Sequence, residues 1–292
     1  MPELPDITVY IEKLQTLVQG RVLQRARMLN PFVLRTAVPA ISGVEGQAVV
    51  AVERLGKRVV LALADGTLLV IHLMIAGRLR WLAPGAKLPG KLAQASFEFD
   101  NGLLVLTEAG TTRRASIHLV IDRAALAAMD PGGIDVMTCS AADFIARLKS
   151  ENHTLKRALT DPRLFSGIGN AYSDEILHRA RLSPLTLTLA LPDADAQRLF
   201  AATQAVFTEW IARLRGDSGT WPDKVTAFHP QMAVHGRYKQ PCPVCASPVQ
   251  RIVHANNESN YCARCQTGGK LLADRALSRL LKASWPKTLD DL

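Results

Sequence analysis

The first residues of the chain, Pro2-Glu3-Leu4-Pro5, contain a group that becomes reactive once the initiator Met1 is removed. Removal before a small residue such as proline is normal, and it would leave Pro2 as a free secondary amine. An α-amine has a pKa near 8, against about 10.4 for lysine, so roughly a tenth of it is neutral at pH 7. A neutral amine attacks a sugar carbon or a carbonyl, and a secondary amine then gives an electron-drawing iminium ion. Glu3 is placed to give or take a proton.

The same four residues also have a purely structural interpretation. Proline and acidic residues are favoured in the first turn of a helix. Residues 7–18 carry apolar side chains at three- and four-residue steps, the pattern of an amphipathic helix. The chemical interpretation therefore depends on what else the chain contains.

Four cysteines near the other end of the chain have the spacing of a metal site. Cys242, Cys245, Cys262 and Cys265 form the pattern C-x2-C-x16-C-x2-C, and the intervening segment has the length of a short β-hairpin. Two disulfides are the alternative, but the acidic, proline-rich N-terminus is unlike a secretory signal, which favours zinc. Cys139 has no partner nearby in sequence and is expected to be an ordinary thiol.

Charge and composition favour an anionic partner. The 292 residues include 35 Lys and Arg against 26 Asp and Glu, a net charge of +9, and 48% are hydrophobic. This balance suits nucleic acid, although a generally basic protein of another function would share it. No uncharged apolar run is long enough to cross a membrane. We therefore expect a cytoplasmic protein without a membrane partner.

The elements that position these groups fall into a strand-rich and a helix-rich part. From Arg21 to about Ile121, β-branched runs alternate with the hairpin signals Asp65-Gly66 and Asn101-Gly102. Strands at that density predict a β-sandwich or barrel with one helix packed against it.

Pro131-Gly132-Gly133 predicts a boundary, and the pattern beyond it is helical. The predicted helices are Ala141–Lys149, Thr154–Leu159, Ala171–Ala180, Asp193–Arg215 and Lys270–Lys282. The turn Gly167-Ile168-Gly169-Asn170 leads directly into one of them and leaves backbone N–H groups that suit a phosphate. A Gly-x-Gly by itself is more often only a turn.

Taken in order, these motifs resemble the formamidopyrimidine-DNA glycosylase and endonuclease VIII family of base-excision repair enzymes. The resemblance runs nearly end to end. The motifs that carry it are Pro2-Glu3-Leu4-Pro5, Gly56-Lys57-Arg58, His72-Leu73 with Gly77-Arg78-Leu79-Arg80, Lys156-Arg157-Ala158-Leu159-Thr160-Asp161, Gly167-Ile168-Gly169-Asn170 with Ala171-Tyr172 and Glu175, and Val234-His235-Gly236-Arg237 before the first cysteine pair.

The resemblance implies an α+β fold in four segments. They are an N-terminal catalytic β-sandwich with one packed helix at 1–130, a helix–two-turns–helix DNA-binding domain at 131–232, a zinc finger at 233–270 and a helical tail at 271–292. One zinc ion is implied, and it is structural because four thiolates leave no open coordination position. The expected partner is damaged DNA, and we expect a nucleoid-associated monomer.

The resemblance also implies a bifunctional glycosylase and abasic-site lyase. The Pro2 nitrogen attacks the deoxyribose C1′ of a damaged nucleotide flipped out of the stack, and Glu3 protonates the opening sugar ring. The iminium acidifies the C2′–H, so the 3′ phosphate leaves by β-elimination, and a second elimination releases the 5′ phosphate. Lys57 would hold the phosphate backbone near the damaged nucleotide; a solvated lysine at a strand start is the alternative.

Four further residues are implied as DNA contacts, each with a plainer alternative. Asn170 would hydrogen-bond a phosphate, or cap its own helix, or do both. Lys156 would contact a phosphate, or line a solvated helix face. Arg113 and Arg114 lie where the family has a loop that enters the DNA, and one of them would fill the void or meet the orphaned base. An exposed basic loop is the alternative for that pair.

The chain departs from the family pattern at several positions. Ala115 follows the arginine pair where an aromatic wedge is usual, and the expected intercalating methionine is offset to Met74. Asn257 stands at the zinc hairpin where an arginine would clasp phosphates, Glu258 adds a negative charge, and Asp6 replaces a glutamate. Stacking of a base on an aromatic ring is worth about 1–3 kcal/mol. We therefore expect better activity on abasic, bubble or single-stranded DNA than on paired oxidised purines, and an inefficient second elimination.

These departures leave a second hypothesis open, in which a catalytically weak zinc protein of the same fold binds DNA or senses damage. A free terminal proline beside Glu3 favours the enzyme, since a pure binder has no need of it. A lid over the base pocket is expected within 216–230, and its sequence carries no pattern that identifies the damaged base.

Overall fold

The computed structural model describes residues 1–223, 225, 228–254, 257–273, 279–281 and 286–291 of the chain. These residues form two compact units. The first contains Met1–Pro131 and Trp210–Thr226, and the second contains Gly132–Glu209 and Ala227–Leu292. The amino terminus therefore belongs to the first unit and the cysteine pairs to the second.

The first unit begins with helix α1, Leu4–Val18. Pro5 lies in its first turn, and the Asp6 carboxylate accepts a hydrogen bond from the Glu3 backbone N–H at 2.8 Å, which caps the helix start. The apolar positions at three- and four-residue steps are buried, as predicted; they include Ile7, Tyr10, Leu14 and Val18. The chain leaves the helix at Gly20, whose φ of +80° favours glycine.

Two four-stranded antiparallel sheets follow. The strands are β1 (Arg25–Met28), β2 (Val49–Leu55), β3 (Arg58–Leu63), β4 (Leu68–His72), β5 (Gly77–Leu82), β6 (Ala93–Phe99), β7 (Gly102–Glu108) and β8 (Ser116–Val120). One sheet has the order β1-β6-β7-β5 and the other β2-β3-β4-β8. Side chains from both sheets and from α1 share one apolar core, which also contains Trp221 and Val225.

Both predicted hairpin signals lie at turns. Gly66, between β3 and β4, has φ +89°, and Phe99 pairs with Gly102 across a two-residue turn between β6 and β7. A short helix, α2 (Arg123–Ala127), follows the last strand and was not expected from the sequence. The predicted β-sandwich with one packed helix is confirmed.

The second unit is mainly helical. Its helices are α3 (Ala141–Leu148), α4 (Leu155–Thr160), α5 (Asn170–Ala180), α6 (Asp193–Asp217), which continues into the first unit from Trp210, and α7 (Ala263–Thr267). Strands β9 (Ile134–Asp135) and β10 (Phe165–Ser166) pair in parallel, and β11 (Gln250–His254) pairs with β12 (Asn257–Tyr261) as an antiparallel hairpin. Helices α3 to α6 agree with the prediction to within two residues at each end, and the α+β class is confirmed.

The predicted helix Lys270–Lys282 is wrong at its start. Residues 270–273 are not helical. The Leu271 N–H donates to the carbonyl of Lys287, far along the chain, at 2.7 Å, and not to a carbonyl one helical turn earlier. Residues 279–281 are helical, whereas 274–278 and 282–285 lie outside the described residues. Within the described parts of the chain, no helix has both the length and the apolar character that a membrane crossing requires.

Candidate active site

The amino terminus is packed into the first unit, whereas most chain termini are loosely held at the surface. Four charged groups act on the Met1 α-amine: Glu3, Asp6, Lys57 and Arg78. Burial is the largest influence and lowers the pKa of this amine; the two basic groups lower it as well, and the two acids oppose them. A lowered pKa leaves more of an amine neutral at physiological pH, which favours nucleophilic attack.

Pro2 and Glu3 are both buried beside this amine, and Glu3 exposes 2% of its surface. Asp6 is buried as well, and its Oδ2 lies 2.8 Å from the Glu3 backbone nitrogen. Burial is the main reason that the pKa of Asp6 is raised to about 7, and the nearby Glu3 charge acts in the same direction. The hydrogen bond from the Glu3 backbone and the charge of the α-amine lower this pKa. A carboxyl group with a pKa near neutrality can hold or release a proton during a reaction. In the sequence, Asp6 is only a minor departure from the family pattern, because burial is not visible there.

Lys57 lies in a two-residue turn between β2 and β3, and its charge acts on the α-amine. Gly56 has φ +61° in this turn, a conformation that favours glycine. Lys57 also acts on His72 at the end of β4, whose pKa is lowered to about 4, first by burial and then by Arg58 and Lys57. His72 is therefore a neutral imidazole at pH 7, able to donate one hydrogen bond and to accept one.

The turn after β4 presents a different side chain from the one expected. Met74 has φ +53°, a backbone conformation that favours glycine, while the neighbouring Ile75 is the exposed apolar side chain, at 59%. The backbone folds closely here, since a Cβ on Gly77 would lie 2.2 Å from the Leu73 carbonyl oxygen. Ile75, not the offset methionine, occupies the exposed position.

The segment 216–230, where a lid was expected, is attached to the first unit at two points. The Trp221 indole N–H donates to the Leu79 carbonyl at 3.0 Å, and Arg78 Nε donates to the Val225 carbonyl at 2.6 Å. Residues 224, 226 and 227 of this segment lie outside the described residues. The Val225 contact links the segment to Arg78, one of the charged groups around the amino terminus.

Arg113 and Arg114 lie on an exposed loop between β7 and β8. The buried Glu108 carboxylate accepts the backbone N–H groups of Arg114 at 2.8 Å and Ala115 at 3.1 Å, and so fixes the base of the loop. Arg113 Nη2 donates to the Lys91 carbonyl at 2.9 Å. The loop borders a cavity of about 650 Å³.

In the second unit, Lys156 belongs to a buried polar network. Its ammonium donates to the Asn170 carbonyl at 2.7 Å and to Asp174 Oδ1 at 2.5 Å, and the other Asp174 oxygen lies 2.7 Å from His235 Nδ1. The Lys156 side chain is 11% exposed, so the solvated-face alternative is wrong. Two of the three ammonium N–H groups have protein acceptors, so the predicted phosphate contact stays a prediction for the third.

Asn170 is the first residue of α5, and Gly169 is the N-cap, so the capping alternative for Asn170 is wrong. Instead its Nδ2 donates to the Glu258 carbonyl on β12 at 2.9 Å. Further along α5, the buried Glu175 carboxylate accepts three backbone N–H groups of residues 233–235 at 2.7, 2.9 and 2.9 Å. These bonds tie the helix to the hairpin and to the chain that leads into it.

A second cavity, of about 430 Å³, opens where these elements meet. Its lining residues are Asn170, Phe228, His235, Arg251, Val253, Asn257 and Glu258. Asn257 is exposed at the start of β12. Arg251 was not predicted; its guanidinium lies 4.3 Å from the Tyr238 ring centre and 3.3 Å from the Glu258 carboxylate. No local motif identifies this arginine, and it is the strand register, with Arg251 opposite Asn260, that places it here.

The four cysteine thiols converge, since their Sγ atoms all lie within 4.8 Å of one another. The first pair is closed by a turn in which the Ala246 N–H donates to the Cys242 carbonyl at 2.9 Å. In the second pair, Cys262 is the N-cap of α7, which carries Cys265. Cys245 and Cys262 have Sγ atoms 3.3 Å apart, too far for a disulfide, so that alternative is wrong. Four converging thiolates suit one tetrahedral zinc ion.

Models of three domains match this chain. They are the formamidopyrimidine-DNA glycosylase N-terminal domain at residues 1–114, the formamidopyrimidine-DNA glycosylase H2TH domain at 130–220, and a zinc finger found in FPG and IleRS at 239–268. The chain belongs to the formamidopyrimidine-DNA glycosylase family. The resemblance stated from the sequence motifs is thus confirmed, and so is the structural zinc.

Relatives match over nearly the whole glycosylase chain. Formamidopyrimidine-DNA glycosylase of Thermus thermophilus is 32% identical over 281 residues, which are 92% of this chain and 100% of the relative. The formamidopyrimidine-DNA glycosylase of Desulforamulus reducens is 32% identical, and the match covers 91% of this chain and 99% of the relative. The crystal structure of the MutM (Fpg) protein from Thermus thermophilus has a TM-score of 0.77 at 30% identity, with coverage of 91% and 98%. Family membership makes this chain a DNA glycosylase.

A complex between Lactococcus lactis Fpg and DNA containing an abasic site has a TM-score of 0.80, with coverage of 91% and 99%. Its identity to this glycosylase is 20%, which shows a shared fold. Sequence and fold comparisons therefore agree along the same length of chain.

Proposed function

We propose that this glycosylase is bifunctional, with the Pro2 amine as nucleophile for base excision and for cleavage of the abasic strand. The observation that carries the proposal is the burial of Pro2 and Glu3 at an amino terminus where burial lowers the pKa of the Met1 α-amine and the charges of Glu3, Asp6, Lys57 and Arg78 act on it. Loss of Met1 makes Pro2 that terminus. A secondary amine with a lowered pKa is the nucleophile that iminium chemistry requires.

The reaction proceeds in two stages. The Pro2 nitrogen forms a bond to C1′ as the base leaves with the electrons of the glycosidic bond. The nitrogen loses its proton in this step, and that proton balances the one that the leaving base takes up. Glu3 protonates the ring oxygen O4′, the C1′–O4′ bond breaks, and a C1′ iminium results. A base then removes a C2′ proton, the C3′–O bond breaks, and the strand is cut on the 3′ side. Water finally hydrolyses the iminium and restores the amine.

Asp6 supports this sequence as a nearby proton reservoir. Its carboxyl has a pKa of about 7 and is hydrogen-bonded to the backbone of Glu3. Lys57 places a positive charge beside the amine, where it would both attract a DNA phosphate and help to keep the amine neutral. The catalytic group is thus Pro2 with Glu3, and Lys57 is the phosphate contact next to it.

In the second unit, the cavity of about 430 Å³ is the proposed phosphate site. Arg251 supplies its cation and Asn170 and Asn257 supply amide groups. Glu258 neutralises Arg251 until a phosphate takes the place of its carboxylate, because a guanidinium binds phosphate and carboxylate in the same way. The zinc ion stabilises the hairpin that carries Arg251 and Asn257.

Reductive trapping tests the catalytic proposal. Cyanoborohydride should convert the iminium into a stable covalent adduct between the protein and an oligonucleotide with an abasic site. The wild-type chain, shown by mass spectrometry to begin at Pro2, is expected to give the adduct, whereas chains that retain Met1 are not. Arg198→Ala, an exposed arginine of α6 that donates to the Ala180 carbonyl at the end of α5, is the control and should trap normally. Undiminished DNA binding without any adduct would support the alternative of a binding or damage-sensing protein.

A further inference from the structure

An aromatic side chain stands exposed on the first unit without any role in its core. Phe32 lies in a single turn of 3-10 helix, Pro31–Val33, and exposes 79% of its surface, while its neighbour Val33 is buried. Exposure of a large aromatic ring is unfavourable in water, and a ring held outward on a rigid turn is available to stack on a partner.

The turn that carries Phe32 is firmly held. Asn30 Oδ1 accepts the Phe32 backbone N–H at 3.1 Å, and Pro31 restricts the backbone at the start of the turn. The Asn30 side-chain amide donates to Gln94 Oε1 at 2.8 Å, and Gln94 is fully buried. This pre-ordering lowers the entropy that Phe32 would lose on binding.

A bridge two residues beyond Phe32 and Ala115 holds their two segments together. Leu34 forms a parallel bridge with Ile117, and the Arg35 N–H donates to the Ile117 carbonyl at 2.8 Å. This pairing holds the segment that follows Phe32 against the segment that follows Ala115, the position at which the sequence lacks the aromatic wedge of the family. Both residues line the cavity of about 650 Å³.

The chemistry of this cavity suits a nucleic-acid base. Arg35 and Arg113 line it together with Phe32, and both are exposed. Glu108, the acid in the lining, already accepts the N–H groups at the base of the arginine loop. An aromatic face between guanidinium groups is the combination that binds an unpaired base and its phosphates.

We propose that Phe32 is the aromatic wedge of this enzyme, which stacks on a nucleobase of the opened duplex where Ala115 offers no ring. The inference rests on the proposed function, in which the DNA is opened at the damaged nucleotide. Arg113 and Arg35 bind the flanking phosphates. The wedge is thus present, but it comes from a segment distant in sequence from the arginine pair.

Binding to duplex DNA with a tetrahydrofuran abasic analogue tests the wedge. Phe32→Ala is expected to weaken binding about tenfold relative to the wild type, while Phe32→Trp retains affinity and its introduced indole is quenched on the DNA. Val38→Ala removes an apolar side chain that is 85% exposed on the same segment and outside the cavity lining, and it should bind like the wild type. Equal affinity of Phe32→Ala and wild type, or unquenched emission of the introduced indole in the saturated Phe32→Trp complex, would overturn the proposal.

A second measurement separates this proposal from the catalytic one. Cyanoborohydride trapping on a single-stranded abasic oligonucleotide needs the Pro2 amine but no wedge, so Phe32→Ala should trap at the wild-type level. Loss of trapping in Phe32→Ala would contradict a wedge role. If the wild type fails to trap while Phe32→Ala still weakens duplex binding, the catalytic proposal fails and the wedge stands.

Discussion

Asp6 and Glu3 are joined by a hydrogen bond of 2.8 Å, from the Glu3 backbone N–H to the Asp6 carboxylate, and both residues are buried beside the amino terminus. The start of α1 and the proposed active site therefore share these two hydrogen-bonded residues. A change at Asp6 therefore affects the proton balance of the site and the stability of the helix start together.

Asp6 should make folding stability depend on pH. Its pKa is about 7 in the folded chain and has an ordinary value of 3.8, so the folded state keeps a proton that the unfolded state releases. The contribution of Asp6 to the free energy of unfolding is thus fully present below about pH 4 and is lost as pH rises towards 7. Asp6→Asn keeps the acceptor oxygen and removes the titration.

Urea unfolding of the wild type and of Asp6→Asn between pH 4 and 7.5 measures this effect. The difference between the two free energies should shift in favour of Asp6→Asn as pH rises, because the other titrating groups, His72 among them, are common to both. A difference that stays constant with pH would show that Asp6 ionises normally.

Glu3→Gln should separate base excision from strand cleavage. Protonation of the sugar by Glu3 accompanies base loss, and general acid catalysis contributes about 10²–10⁴-fold. We expect excision to fall by about a hundredfold or more, and cleavage of a preformed abasic site by less than tenfold. Single-turnover rates on the two substrates measure both steps, and equal losses would contradict this division.

Arg251→Ala should weaken duplex binding about tenfold and lower the slope of log affinity against log salt by about one. Glu258→Gln should act in the opposite direction, because it removes the carboxylate that competes with phosphate for Arg251.

Asn257→Arg should add a phosphate contact and steepen the slope by about one. Fluorescence anisotropy at several salt concentrations measures all three, with Arg198→Ala as the control.

A purely structural role for Arg251 predicts a different result. Loss of its contact with Glu258 would then destabilise the hairpin, so Glu258→Gln would weaken binding as Arg251→Ala does. Opposite signs for these two variants support the phosphate site, and equal signs contradict it.

Zinc should be required for the hairpin and not for the sandwich. Cys265→Ser removes one of four thiolates, and metal-binding energy is folding energy in so small a module. Elemental analysis should give one zinc per wild-type chain and less in the variant. Duplex binding should fall at least tenfold, while the β-sheet circular dichroism remains. A zinc-free chain that binds duplex DNA normally would contradict the prediction.

Met74→Gly should stabilise the chain. A non-glycine residue in the left-handed region costs about 1–2 kcal/mol, and the greater freedom of unfolded glycine offsets about 0.5–1 kcal/mol of the gain. We expect the free energy of unfolding to rise by about 0.5–1 kcal/mol in urea titrations. Ile75→Gly in the same turn, where the backbone has no positive φ, should lower it.

Local patterns were enough to predict much of this molecule. The periodicity of α1 and of helices α3 to α6 is set by side chains three or four residues apart, and the cysteine spacing defines a zinc site within one hairpin. These features depend on neighbours along the chain, so the amino-acid sequence by itself determined them. The order of motifs determined the family in the same way.

Tertiary structure decided the features that depend on distant neighbours. The raised pKa of Asp6 comes from burial in the folded chain, and the position of Arg251 at the cavity of about 430 Å³ comes from the register of β11 with β12. Phe32 and Ala115 line one cavity because Leu34 pairs with Ile117, a residue far away along the chain. Burial and register are collective properties of the packed chain, so no local pattern contains them.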